Sequence, residues 1–216
     1  MKTNVMIHAC RERKWYIDEF LIPALQEQGI EPDVYMDEDS KGNLASTLDC
    51  FSKLPSTGST WHLQDDVIIC SDFCERIKRI RSDFCCGFCS DQYDVLSGGI
   101  VNPKTMWYSF QCIQIPNQYA RQFVSWVSKK YANNDSKYWL QITNNMYDDY
   151  LFKAFMKEQY PNKQILNVVP NLVNHIDYLI GGSILSSNSI SRVSAYWNEP
   201  ELIDDLRCKL AMRINV

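Results

Sequence analysis

Long apolar runs are missing from this 216-residue chain, and nothing approaches the roughly 20 consecutive apolar residues of a membrane-spanning helix. The N-terminus, MKTNVMIHACRERKWY, meets charge too soon for the apolar core of a secretory signal, and it offers no small-residue cleavage site. These two absences lead to the expectation of a cytoplasmic protein. Positive charge is not in excess either. The net charge is -4, so no global basic field draws the chain onto nucleic acid or an anionic membrane. General nucleic-acid binding is therefore not expected. No internal repeat, low-complexity block or linker interrupts the sequence, so 1–216 reads as one domain. Only three histidines occur, and a lone histidine is more often a satisfied structural residue than a ligand.

Cysteine, by contrast, is plentiful. There are nine, an odd number, in a chain large enough to build a core without staples, which points to reduced thiols. Cys70, Cys74, Cys85, Cys86 and Cys89 lie close together in sequence. The run Cys85-Cys86-Gly87-Phe88-Cys89 lacks the two clean C-x-x-C knuckles of a zinc site. It reads as a buried strand that uses cysteine as a small hydrophobe.

The pattern along the first ninety residues alternates strand and helix. Asn4 to Ala9 reads as an opening buried strand, followed by Arg11-Glu12-Arg13-Lys14. Ile17, Phe20, Leu21, Ala24 and Leu25 recur at helical spacing, with a kink or break expected near Pro23 and a stop at Gly29. Pro32 to Met36 is a second strand ending in Asp37-Glu38-Asp39, and Asn43 to Phe51 a short helix. Thr60 to Leu63 is a third strand running into Asp65-Asp66. Val67 to Cys70 is apolar again, Cys74 to Arg81 reads as a basic helix, and Phe84 to Cys89 as a fourth strand. This alternation predicts an α/β fold with a central, mostly parallel mixed sheet flanked by helices. Further helices are expected over Asn117 to Lys130 and Asp148 to Glu158, and a strand over Ile165 to Val169. The Ser- and Asn-rich tail from Gly181 onward reads as loop, or as a cover over a site.

Four segments carry candidate chemistry. In Gln64-Asp65-Asp66, adjacent carboxylates end an apolar strand, where like charges repel in a half-buried place. A hard divalent cation, Mn²⁺ or Mg²⁺, removes that penalty through carboxylate and phosphate oxygens. Double Asp is also an ordinary turn sequence. Asp37-Glu38-Asp39-Ser40 follows a parallel strand, where α/β sheets bind ligands, and it also reads as a solvated acidic turn. Tyr147-Asp148-Asp149-Tyr150 opens a helix, so its acids serve as caps or as a general base. Pro170-Asn171-Leu172-Val173-Asn174-His175 follows a strand in a polar loop, where His175 could offer a neutral nitrogen to a metal.

In order, these segments resemble GT-A fold glycosyltransferases, and among them small bacteriophage-encoded ones. The resemblance spans roughly residues 4–195 and is most specific over PNLVNHI with the following Gly181-Gly182-Ser183. It implies a Rossmann-related GT-A-like domain, with residues 1–100 as the nucleotide-sugar half and 101–216 as the acceptor half and C-terminal metal-ligand loop. It implies sugar transfer from a nucleotide diphosphate sugar, UDP-linked in the family's commonest case, to a hydroxyl acceptor. Mn²⁺ or Mg²⁺ would be held by Asp66 and His175. Asp65 and Gln64 would assist at the donor. Asp37 or Asp39 would contact the nucleoside, Arg11 and Arg13 the nucleotide, and Arg192 the diphosphate. Asp149 or Asp148 would be the base. Gln64 stands where the first acid of the D-x-D pattern belongs, leaving one anionic ligand fewer. The acceptor stays open between a glycan, a protein, a small molecule and a modified base in phage DNA. A phage origin would put the protein in the host cytoplasm.

Two rivals remain at this level. One is a non-catalytic nucleotide- or sugar-binding module whose metal site has decayed, in keeping with Gln64. The other is a haloacid-dehalogenase-type phosphatase with Asp37 as nucleophile. About 25 residues separate its two acidic sites here, too few for the βα crossovers between them.

Overall fold

Alternating side chains on β1 (Asn4–Cys10) divide the interior into two cores. Val5, Ile7 and Ala9 enter one, while Met6 packs against the other. A strand buried on both faces needs partners on both edges, and β1 has them. It runs parallel to β2 (Asp33–Asp37), with Cys10 opposite Asp37. It also runs parallel to β3 (Ser59–Gln64), with His8 opposite Gln64. A computed structural model of the chain describes residues 4–88, 100–101, 110–132, 148–180 and 197–214.

The remaining strands of the main sheet are β5 (Cys85–Cys86), β6 (Ile100–Val101), β7 (Cys112–Pro116) and β8 (Ile165–Asn167). The seven-stranded order is β2-β1-β3-β7-β5-β8-β6. β7 is antiparallel to β3 and β5, β8 is parallel to β5, and β6 is antiparallel to β8. Five of the seven strands therefore point one way, and β7 and β6 run against them. The expected α/β fold with a mostly parallel mixed sheet is what forms. The sheet's centre departs from the simple alternation: β7 wedges between β3 and β5, so consecutive parallel strands do not simply stack side by side. A separate two-stranded ribbon pairs β4 (Val67–Ile69) antiparallel to β9 (Val173–His175).

Helices cover both faces. On the first, α1 (Lys14–Tyr16) continues through a π turn, Ile17–Leu21, into α2 (Ile22–Glu27). Pro23 lies at the start of α2 and has no N–H for the preceding turn, so a widened turn accommodates it. Gly29, at φ +75°, ends the segment as expected. With α4 (Phe73–Arg79), this layer buries Ile17, Leu21, Leu25, Phe73 and Ile77 against Trp61 and Leu63 of β3. The opposite layer is α3 (Asn43–Ser52), α5 (Asn117–Ala132) and α6 (Asp148–Gln159). It packs Phe51, Phe123, Phe152 and Phe155 as an aromatic cluster with Phe84 and Phe110. Each such buried ring contributes about 1.5–3 kcal/mol.

Two expectations need correction. The tail is not loop over its last part: Pro200–Ile214 forms a helix, α8, after the short α7 (Asp177–Ile180). Pro200 at its first position, Glu201 in its first turn, buried Ile203, and Leu206 and Leu210 packed into the first core account for it. His175 also does not sit in a polar loop; it is the last residue of β9 and is buried. Gly181-Gly182-Ser183, Arg192, Cys89 and Tyr147 lie outside the described residues. Cys85 and Cys86 are buried strand residues with free thiols, as the reading of small hydrophobes requires. No helix among the described residues is long and apolar enough to cross a membrane.

Among the described glycines, Gly87 makes the tightest approach. A Cβ there would stand 2.5 Å from Cys112 Sγ and 3.0 Å from Leu172 Cδ1. Gly87→Ala is expected to destabilise the protein by about 1–3 kcal/mol, read as a lower urea midpoint. An unchanged midpoint would show that the contact is not tight.

Candidate functional site

The carboxyl ends of β1, β2 and β3 share one edge of the sheet, because the three strands are parallel and in register. Cys10 to Arg13, Asp37 to Ser40 and Gln64 to Asp66 therefore gather there. This is the edge at which open α/β sheets bind ligands.

Asp65 and Asp66 are both buried, and the surroundings treat them differently. Asp65 Oδ2 accepts the Cys10 backbone N–H at 2.6 Å, and Oδ1 accepts Arg13 Nη1 at 2.5 Å. Asp66 Oδ2 accepts the same Nη1 at 3.0 Å and lies 3.0 Å from His175 Nε2. Asp66 Oδ1 is buried with no hydrogen-bond partner among the described residues. Burial works against the charge on Asp66, but His175 and Arg13 outweigh it and bring its carboxyl down to about 2. Burial pushes Asp65 upward, with Arg13 opposing and the neighbouring Asp66 charge adding to the rise. Burial disfavours the Arg13 charge, yet the two carboxylates outweigh that and hold the guanidinium charged.

The sequence dictates how these groups meet. Arg13 follows β1 in a 3₁₀ turn, Arg11–Arg13, that directs Arg13 inward and leaves Arg11 exposed. The β4–β9 ribbon sets Val67 opposite His175, and Ile176 N–H donates to the Asp66 carbonyl at 2.8 Å. The turn ahead of β9 is tied down as well. Arg76 donates to the carbonyl oxygens of Asn171, at 3.1 Å, and Pro170. Leu172 N–H donates to the Gly87 carbonyl at 2.8 Å.

The sequence reading missed Asp177. It is buried, and its Oδ1 lies 3.3 Å from His175 Nδ1, an ion-pair distance without hydrogen-bond alignment. The alternation His175-Ile176-Asp177 was the available signal. A second missed group is Cys70, Asp72 and Glu199, whose candidate ligand atoms lie within 4.8 Å of one another. Arg76 Nη1 stands 3.6 Å from Cys70 Sγ and 3.9 Å from Asp72, and Glu199 accepts the Ser71 N–H at 2.9 Å.

The other predicted residues separate by environment. Asp37 is buried and caps its own turn, accepting the Lys41 N–H at 3.1 Å. Asp39 is exposed and stands 3.9 Å from Lys41 Nζ. Gln64 is half-buried at the end of β3. Asp148 is buried and accepts from Thr47 Oγ1 at 2.5 Å, Asn43 Nδ2 at 2.8 Å and the Asp149 N–H at 2.9 Å. It thereby ties the start of α6 to the start of α3. Asp149 is half-buried and accepts the Tyr150 N–H at 2.8 Å. The structure thus joins Asp65, Asp66, Arg13 and His175 in one network and leaves Asp148 on the other helical layer.

Burial raises the Asp148 carboxyl to about 6, against the pull of its Thr47 and Asn43 donors. A carboxyl raised in the folded state stabilises fully below its unfolded value, near 4, and loses that contribution as pH rises through about 6. Asp148→Asn is therefore expected to remove a fall in stability on the order of 2–3 kcal/mol between roughly pH 4 and 7, measured by urea unfolding. A variant with the same pH slope as the wild type would contradict this. Kinship adds nothing to the chemistry, since no family model and no curated protein matches the chain.

Proposed function

We propose that the protein is a metal-dependent glycosyltransferase of the GT-A type, acting on a nucleotide diphosphate sugar and a hydroxyl acceptor. One observation carries the reading. A buried carboxylate, Asp66, meets a buried imidazole, His175, at 3.0 Å on the ligand-binding edge of the sheet, and Asp66 Oδ1 has no hydrogen-bond partner among the described residues. Such an oxygen is costly to bury unless a ligand uses it. Mn²⁺ or Mg²⁺ suits an oxygen-plus-imidazole donor pair that leaves positions for substrate phosphates. Asp66 and His175 would hold the ion, which would neutralise charge on the departing diphosphate.

The roles along the sheet edge follow from position. Asp65, fixed by Cys10 and Arg13, keeps the turn in shape beside the donor. Gln64, Asp37, Asp39 and Arg11 lie along the same edge, where the nucleoside and sugar would be contacted. Arg192 keeps its assignment to the diphosphate from the resemblance alone. Asp149 is the better candidate for the base, because Asp148 is committed to Thr47 and Asn43. UDP is the first nucleotide to try, and the acceptor class stays open between glycan, protein, small molecule and modified DNA base.

A second reading has its own support. Arg13 already pairs with both carboxylates without a metal, which suits a non-catalytic nucleotide- or sugar-binding module. The phosphatase reading has less, since the proposed nucleophile Asp37 is spent on a turn.

Incubation with a panel of nucleotide sugars and Mn²⁺ separates these. Release of nucleoside diphosphate is expected for the transferase, and thermal stabilisation without turnover for the module. Asp66→Ala should abolish metal-dependent donor binding in a protein that still folds, and normal turnover by that variant would sink the assignment. Asp149→Asn should keep donor binding and lose about 10²–10⁴-fold in turnover, the usual contribution of a general base.

A further inference from the structure

The Arg13 guanidinium stands where a divalent ion would have to exert its charge. Its Nη1 bridges Asp65 Oδ1 at 2.5 Å and Asp66 Oδ2 at 3.0 Å, and its side chain is 8% exposed. His175 Nε2 reaches the same Asp66 oxygen from the other side, at 3.0 Å. One oxygen of Asp66 therefore serves two nitrogen donors, while the other lies buried without a hydrogen-bond partner among the described residues. A divalent ion binding Asp66 and His175 would need the lone pair of Nε2, and it would arrive beside a fixed positive charge. A divalent ion on either carboxylate oxygen of Asp66 would stand close to the guanidinium, and like charges so near in a low-dielectric place repel strongly.

We propose that Arg13 is a resident counter-cation, displaced from Asp66 by an incoming divalent ion and then available to the oxygens of a bound diphosphate. This rests on the reading of the acidic turn as a metal site. Arg13 is suited to the exchange. It is the last residue of a three-residue turn, carries a long side chain, and keeps a second anchor in Asp65 when Asp66 is taken. A planar guanidinium is also the side chain best shaped for phosphate oxygens. Without metal, the ion pairs compensate two buried carboxylates. With metal, the same side chain adds a positive charge on the ligand side. Binding of metal and of diphosphate is then coupled through one residue, and the coupling is reciprocal.

The test is a titration with Mn²⁺ alone and then with uridine diphosphate at saturating Mn²⁺, on the wild type, Arg13→Met and Arg13→Gln. Thermal unfolding is followed in parallel. Removing the competing cation is expected to tighten Mn²⁺ binding about tenfold and to weaken uridine diphosphate binding about tenfold. The metal-free variants should melt below the wild type, because two buried acids lose their shared cation. Mn²⁺ should then raise their melting temperature by more than it raises that of the wild type. Arg13→Gln keeps hydrogen bonding to the acids and decides the matter if Arg13→Met does not fold. A folded variant that binds Mn²⁺ no tighter than the wild type overturns the counter-cation assignment. Failure of the wild type and of both variants to bind Mn²⁺ overturns the metal-site reading along with it.

Discussion

Two adjacent carboxylates buried at the end of a strand cannot both remain charged without compensation. Asp65 and Asp66 impose that constraint, and much of the site's architecture answers it. The 3₁₀ turn after β1 carries Arg13 inward. The Cys10 N–H, left over at the end of β1, is spent on Asp65. The β4–β9 ribbon carries His175 to Asp66 over more than a hundred residues of sequence. Arg76 and the Gly87 carbonyl fix the turn that aims the ribbon. The result is a pair held in unequal states, with Asp66 kept anionic and Asp65 pushed toward its protonated form.

That inequality bears on function. A strongly anionic carboxylate beside an imidazole would suit a divalent cation, as proposed, while a shared guanidinium already pairs with the same carboxylates. The two descriptions compete for the negative charge of Asp66. Asp148, on the other helical layer, has a separate role. It is a buried clamp between α3 and α6, and its protonation near neutrality is a matter of stability.

Much of the fold was legible because period and punctuation agreed. β1 announced itself as an apolar run before a charged patch, β2 and β3 as apolar runs leading into acids, and Gly29 closed its helix at a positive φ. Asp65-Asp66 and His175 were legible as separate candidates. Their meeting was not, because it depends on a ribbon three residues long in each strand, and strand pairing at that distance leaves no local signal. Arg13 was legible as a cation near the site but not as the partner of the acids, since only the 3₁₀ turn decides which of Arg11 and Arg13 faces inward. Asp177 was passed over because a carboxylate two residues past a histidine is common. Helix α8 was hidden behind a Ser- and Asn-rich approach that lowered the expectation for everything after it.

The central claim is that Asp66 and His175 form a metal site on the ligand edge of the sheet. Anomalous diffraction at the manganese edge, from crystals grown with Mn²⁺ and uridine diphosphate, addresses it directly. The account predicts one strong peak within roughly 2.0–2.3 Å of an Asp66 carboxylate oxygen and of His175 Nε2. A peak confined to Cys70, Asp72 and Glu199, with Asp66 still held by Arg13, would contradict it.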